Sequence, residues 1–70
     1  MSTYLVVYER AEDGAWGAYV PDLPGVVALG TSRNEAEELI QEAISAYAAE
    51  QELVGSALPA PTHEAGFATA

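Results

Sequence analysis

The chain has no cysteine and no lysine. Without cysteine there is no disulfide framework and no thiolate metal site. Without lysine, all fixed positive charge rests on Arg10 and Arg33. Eleven carboxylates oppose them, for a net charge of −9. A phosphate backbone needs a basic footprint, so direct binding of DNA or RNA is not expected. The single histidine, His63, stands beside Glu64 in a C-terminal loop and reads as solvated surface. No His/Cys cluster, phosphate-cradling glycine loop or Gly-x-Ser-x-Gly elbow is present. No apolar run approaches the ~18 residues of a membrane span. The N-terminus lacks the basic and then apolar regions of a secretory signal. The expectation is a cytoplasmic, non-enzymatic protein that needs no cofactor and does not engage a membrane.

What remains is a small acidic domain. Seventy residues make one unit, residues 1–70. A chain of this size buries only roughly 60% of its unfolded surface, so association is a natural way to gain stability. The excess of acid has two readings. One is solubility; the other is a basic partner, since opposite potentials speed encounter and suppress wrong pairings.

One stretch organises the chain: Tyr19-Val20-Pro21-Asp22-Leu23-Pro24-Gly25-Val26. Each proline fixes φ and lacks an N–H, so neither fits a central ladder position. Gly25 can take a positive φ. Asp22 can hydrogen-bond a nearby backbone N–H and stabilise the turn. A rigid connection between two strands is predicted. Before it, Met1–Thr3 read as a frayed end, and Tyr4–Arg10 and Ala15–Val20 read as strands rich in β-branched and aromatic residues. Asp13-Gly14 supplies the hairpin turn between them. Val26–Leu29 makes a third strand.

Ser32-Arg33-Asn34-Glu35 fits a capping box, with Ser32 as N-cap. The helix it opens runs from Arg33 to Leu53. Ala36, Leu39, Ile40, Ala43, Ile44, Tyr47 and Ala48 form its apolar stripe. Gly55 is a C-terminal stop. Residues 56–70 read as a loop followed by Phe67–Ala70, either a weak fourth strand or a tail. The fold class is α+β: a three- or four-stranded, mainly antiparallel sheet with one long helix on one face, in the order β-β-β-α-(β).

A helix of about 21 residues can cover one face of such a sheet, not both. Yet the first two strands carry apolar or aromatic residues at both parities. A second molecule is expected on the spare face, because contiguous exposed apolar surface marks an interaction site. Tyr4, Tyr8, Trp16 and Tyr19 serve either as sheet packing or as interface anchors. Asp13 and Asp22 fall in loops at opposite ends of one strand. With the helix glutamates on the polar face, a convergent metal site is not expected.

The motif order is recognisable. Glu12-Asp13-Gly14-Ala15-Trp16-Gly17-Ala18-Tyr19-Val20-Pro21-Asp22-Leu23-Pro24-Gly25, the helix opening Ser32-Arg33-Asn34-Glu35-Ala36 and the exit Gly55-x-x-Leu58-Pro59-x-Pro61 resemble the HicB-like antitoxins. The resemblance spans nearly the whole chain. It implies a partial, degraded RNase H-like fold without the metal-binding acids of the active nucleases. It also implies a partner, a small basic HicA-like ribonuclease toxin that cleaves messenger RNA and whose active site the antitoxin occludes. Trp16, Tyr19 and the Pro21, Asp22, Leu23, Pro24 and Gly25 loop are the candidate partner-binding residues, together with the acidic helix face. Family members usually continue into a C-terminal DNA-binding segment. Here nothing basic follows Arg33, and operator binding is not expected. The alternative is a solitary homodimer or homotetramer that retains no toxin.

Overall fold

Pro21 sets the length of the sheet. In the computed structural model, which describes residues 2–70, the strands are β1 (Val7–Arg10), β2 (Trp16–Tyr19) and β3 (Val27–Gly30). The single helix α1 (Arg33–Leu53) comes after them. The frayed end expected at Met1–Thr3 lies partly outside the described residues. The strands pair antiparallel in the order β1-β2-β3, with Val7 opposite Tyr19 and Tyr19 opposite Val27. Continued at that register, Leu5 would meet Pro21, which has no N–H to give. The first strand is therefore shorter than the Tyr4–Arg10 run suggests.

Both strand connections are held by local chemistry. In the first, the Ala11 N–H bonds the Ala15 carbonyl (2.8 Å) and the Gly14 N–H bonds the Ala11 carbonyl (3.0 Å). The Asp13 carboxylate accepts the Ala15 N–H at 3.0 Å. Only Gly14 takes a positive φ (88°), so this is a three-residue hairpin closed by a left-handed glycine. In the second connection, Leu23 N–H bonds the Val20 carbonyl and Val26 N–H bonds the Leu23 carbonyl, each at 3.1 Å. Gly25 (φ 85°) turns the chain back.

The helix bounds match the pattern that predicts them. Ser32 Oγ accepts the Glu35 N–H at 3.1 Å. Glu35 returns its Oε1 to the Thr31 N–H at 2.8 Å, one residue earlier than a standard capping box. At the far end, Ser56 N–H reaches the Gln51 carbonyl (2.9 Å) and Gly55 N–H the Glu52 carbonyl (3.2 Å), a Schellman closure around Gly55 at φ 73°.

The core is Ala18, Val20, Leu23, Val26, Ala28, Ala36 and Ile40. Three of the seven are alanines, which lets the helix approach the sheet closely. The helix axis lies over β2 and β3. A helix is ~10 Å wide and strands are ~4.8 Å apart, so one helix spans about two strands. β1 is left beside it, with Val6 and Tyr8 half-buried. The opposite face of the sheet is bare. Residues 56–70 form no regular element, and Phe67–Ala70 make no fourth strand: the sheet has three strands, and Phe67 is fully exposed. A lone aromatic flanked by glycine and alanine offers too little apolar surface to pin an edge strand.

Candidate functional site

The loop and the sheet place the seven candidate residues in three settings. Trp16 lies on the helix side of β2 and packs against the core. Leu23 is 1% exposed and fills the space between sheet and helix. It shapes the loop from within, and direct contact with a partner is closed to it. Tyr19, Pro24 and Gly25 are exposed, and Pro21 is half-buried.

Asp22 has a different job from the one its sequence position suggests. It does not cap its own turn. Its carboxylate accepts the Thr62 N–H at 2.9 Å and the Thr62 hydroxyl at 2.6 Å. The His63 N–H lies 3.3 Å away, and His63 Nδ1 lies 2.7 Å from Oδ1. The side chain is almost wholly covered as a result (7% exposed). The Thr62 hydroxyl and N–H hold its carboxyl far below the usual carboxylate range, with His63 adding to the effect and partial burial opposing it. A second tie lies nearby: the Tyr4 hydroxyl donates to the Pro59 carbonyl. Two ties thus fasten residues 59–63 across the end of the sheet.

Tyr19 belongs to the bare face. Along the register, Val7, Tyr19 and Val27 form one row, and Glu9, Gly17 and Leu29 the next. Val27 is 63% and Leu29 80% exposed. Gly17 lies at the centre without a side chain, and a Cβ there would touch Leu29 Cδ2 at 3.5 Å. Glu9 is the sole charge in these two rows. The expected coverage mismatch is therefore real: one face is sheltered by α1, and the other presents aliphatic surface to solvent.

The helix carries the opposite character. Glu37, Glu38 and Glu42 are exposed on one flank. Arg33 Nη1 pairs with Glu37 Oε2 at 2.9 Å, and its guanidinium lies 4.3 Å from the centre of the Tyr8 ring. Among the described residues no group of three His, Asp or Glu side chains is placed to hold a metal ion. No helix there is long and apolar enough to cross a membrane.

The ordered Pro-Asp-Leu-Pro-Gly connection, the three-strand meander and the capped helix all fall inside one match. Residues 4–68 fit the family described as the HicB_like antitoxin of bacterial toxin-antitoxin systems. The chain belongs to the HicB-like antitoxin family. No curated protein and no solved structure matches it. Membership makes this HicB-like chain a member of a toxin-antitoxin system, and it places a toxin among its partners in general terms.

Two sets of residues in this HicB-like protein escape sequence reasoning. Thr62 and His63 read as loop and surface, because nothing local ties them to Asp22. Val7, Val27 and Leu29 read as strand residues, but not as one surface with Tyr19. Strand parity together with the hairpin register is the signal that groups them.

Proposed function

We propose that this chain is a non-enzymatic antitoxin that binds a small, basic, HicA-type messenger-RNA-cleaving toxin and occludes its active site. The observation that supports it most is charge in context: a family whose members act as antitoxins, with eleven carboxylates against two arginines in this member. Such a surface steers a basic protein and competes with RNA for it. In this reading Tyr19, Pro24 and Gly25 stand at the exposed end of the contact, with Trp16, Pro21, Asp22 and Leu23 holding that end in shape. The test is co-expression with the small basic protein encoded next to it. The reading expects co-purification at low salt and loss of RNA cleavage when the antitoxin is added. An unchanged cleavage rate at saturating antitoxin would overturn it.

A second reading concerns assembly, and the bare sheet face favours it. On a chain of net charge −9, that face holds one carboxylate, Glu9, beside Val7, Tyr19, Val27 and Leu29. Two copies can meet there with little repulsion, giving a closed homodimer or a tetramer built from it. The two readings meet at Tyr19, which stands at the edge of both surfaces. Light scattering that reports a monomer at high concentration would remove the second.

A further inference from the structure

The offset of α1 over β2 and β3 leaves a trough along β1. It is a groove of about 560 Å³ floored by Val6, Tyr8, Ile40 and Ile44. Glu37, Glu38 and Glu42 rise along one wall of it. Helical spacing explains the arrangement: Glu37 and Gln41, one turn apart, lie next to Ile40 and Ile44, and Glu38 and Glu42, also one turn apart, stand further round on the outer rim. β1 is an edge strand, and among the described residues no further strand pairs with its free side.

We infer that this groove is the seat for a cationic, amphipathic segment of a protein partner. Its apolar residues would rest on the half-buried Ile44 and Val6, and its arginine or lysine groups would meet Glu38 and Glu42 on the rim. The chain itself shows that the site suits a cation. Arg33, at one end of the groove, stacks its guanidinium on Tyr8 and pairs with Glu37. That is the combination of aromatic face and carboxylate that an incoming arginine needs. The groove also lies on the helix side of the sheet. A partner seated there leaves the Val7, Tyr19, Val27 and Leu29 face free for a second copy.

This inference rests on the basic-partner reading above, so its test has two arms. In the first, the isotope-labelled full-length chain is titrated with a short synthetic peptide of alternating leucine and arginine. The amide and methyl NMR signals of Val6, Tyr8, Ile40 and Ile44 are expected to move. A peptide with glutamate in place of arginine is expected to leave them still. The triple variant Glu37→Gln, Glu38→Gln, Glu42→Gln should bind the arginine peptide about tenfold more weakly, through loss of two modest ion pairs at Glu38 and Glu42 and of the Glu37 charge beside them. These side chains are exposed, so the variant keeps its fold, which the unchanged spectrum of the free protein verifies. Shifts confined to Val7, Tyr19, Val27 and Leu29, or equal affinity in the triple variant, would overturn the groove as the seat. In the second arm, the neighbouring basic protein replaces the peptide. Its failure to bind the wild-type chain refutes the toxin reading while the peptide result stands. Binding that the triple variant retains in full refutes the groove while the toxin reading stands.

Discussion

The Thr62 hydroxyl donates to the Asp22 carboxylate at 2.6 Å across 40 residues of sequence. That bond, with the Thr62 and His63 N–H groups beside it, makes the C-terminal segment part of the loop it crosses. Replacing Asp22 by alanine removes every acceptor at once. The expected outcome is release of Thr62 and His63, with Pro59 still held by the Tyr4 hydroxyl and with the strands and α1 intact. Hydrogen exchange checks it: the Thr62 and His63 amides, slow in the wild type, exchange in Asp22→Ala at the rate of an open chain. Thr62→Val keeps the backbone bond and loses the hydroxyl, so it should show partial release.

The same carboxylate carries an acid dependence. Its pKa in the folded chain lies far below the ordinary 3.8. A lowered folded pKa means that the unfolded chain takes up the proton first as pH falls. The contribution of Asp22 is therefore complete above about pH 5, one unit past the ordinary value, and it drains away as pH drops through about 4 and below. Wild type and Asp22→Ala should differ in denaturation midpoint at neutral pH and converge in strong acid. A gap that stays constant down to about pH 2 would place the stabilisation elsewhere.

Leu23 and Pro24 are neighbours with opposite fates. Leu23 is buried in the core, and Pro24 faces solvent. Leu23→Ala should cost about 3 kcal/mol, the usual range for a buried leucine whose cavity cannot collapse. A domain of this size has a margin of about 3–5 kcal/mol, so the variant should be largely unfolded near body temperature. Pro24→Ala should stay within about 0.5 kcal/mol. Urea denaturation of the two variants separates a core role from a contact role inside one motif.

How much of the fold and the site is legible in the sequence depends on how local the cause is. Ser32 and Glu35 lie three apart, and Gly55 closes the last turn, so both ends of α1 can be read from neighbours. The hairpin at Asp13-Gly14 and the turn at Gly25 are local in the same way. The Asp22–Thr62 contact is not: no periodicity links residues 40 apart, and Asp22 in a Pro-rich turn has an obvious local use that the fold passes over. The early end of β1 needs the register, since Tyr4–Val6 is as strand-like in sequence as Val7–Arg10. The trough beside β1 needs the lateral offset of the helix, which comes from two small residues, Ala18 and Ala28, seating α1 over their own strands.

Gly30 tests that seating, and Gly17 on the bare face is its control. A Cβ on Gly30 would lie 2.9 Å from the Ala36 backbone nitrogen and 3.2 Å from Glu35 Cβ. Backbone at the start of a capped helix cannot swing aside, so Gly30→Ala should cost about 1–3 kcal/mol and loosen the Thr31–Glu35 tie. Gly17→Ala meets the Leu29 methyl at 3.5 Å and the Ala28 carbonyl at 3.9 Å, both ordinary contact distances. It should be neutral or stabilising by about 0.5 kcal/mol, because alanine has less chain entropy to lose than glycine. Thermal denaturation should show a lowered midpoint for Gly30→Ala and no lowering for Gly17→Ala, the control on the bare face, if the helix is seated as described.

Leu29→Glu separates assembly from folding. Leu29 is 80% exposed in the single chain, so a glutamate there removes little buried surface and leaves the monomer's stability within about 0.5 kcal/mol. In a closed dimer through the bare face, each copy would bring its new carboxylate toward the other's Val7, Tyr19 and Val27 rows and desolvate it. An unpaired buried charge costs several kcal/mol, and twofold symmetry counts it twice. The variant should therefore be monomeric at concentrations where the wild type is not. Its α1 flank is untouched, so its affinity for a basic partner should stay within about twofold. Analytical ultracentrifugation of the variant, paired with the peptide titration, reads both outcomes from one preparation. If Leu29→Glu keeps the wild-type mass, the bare face is not where copies meet.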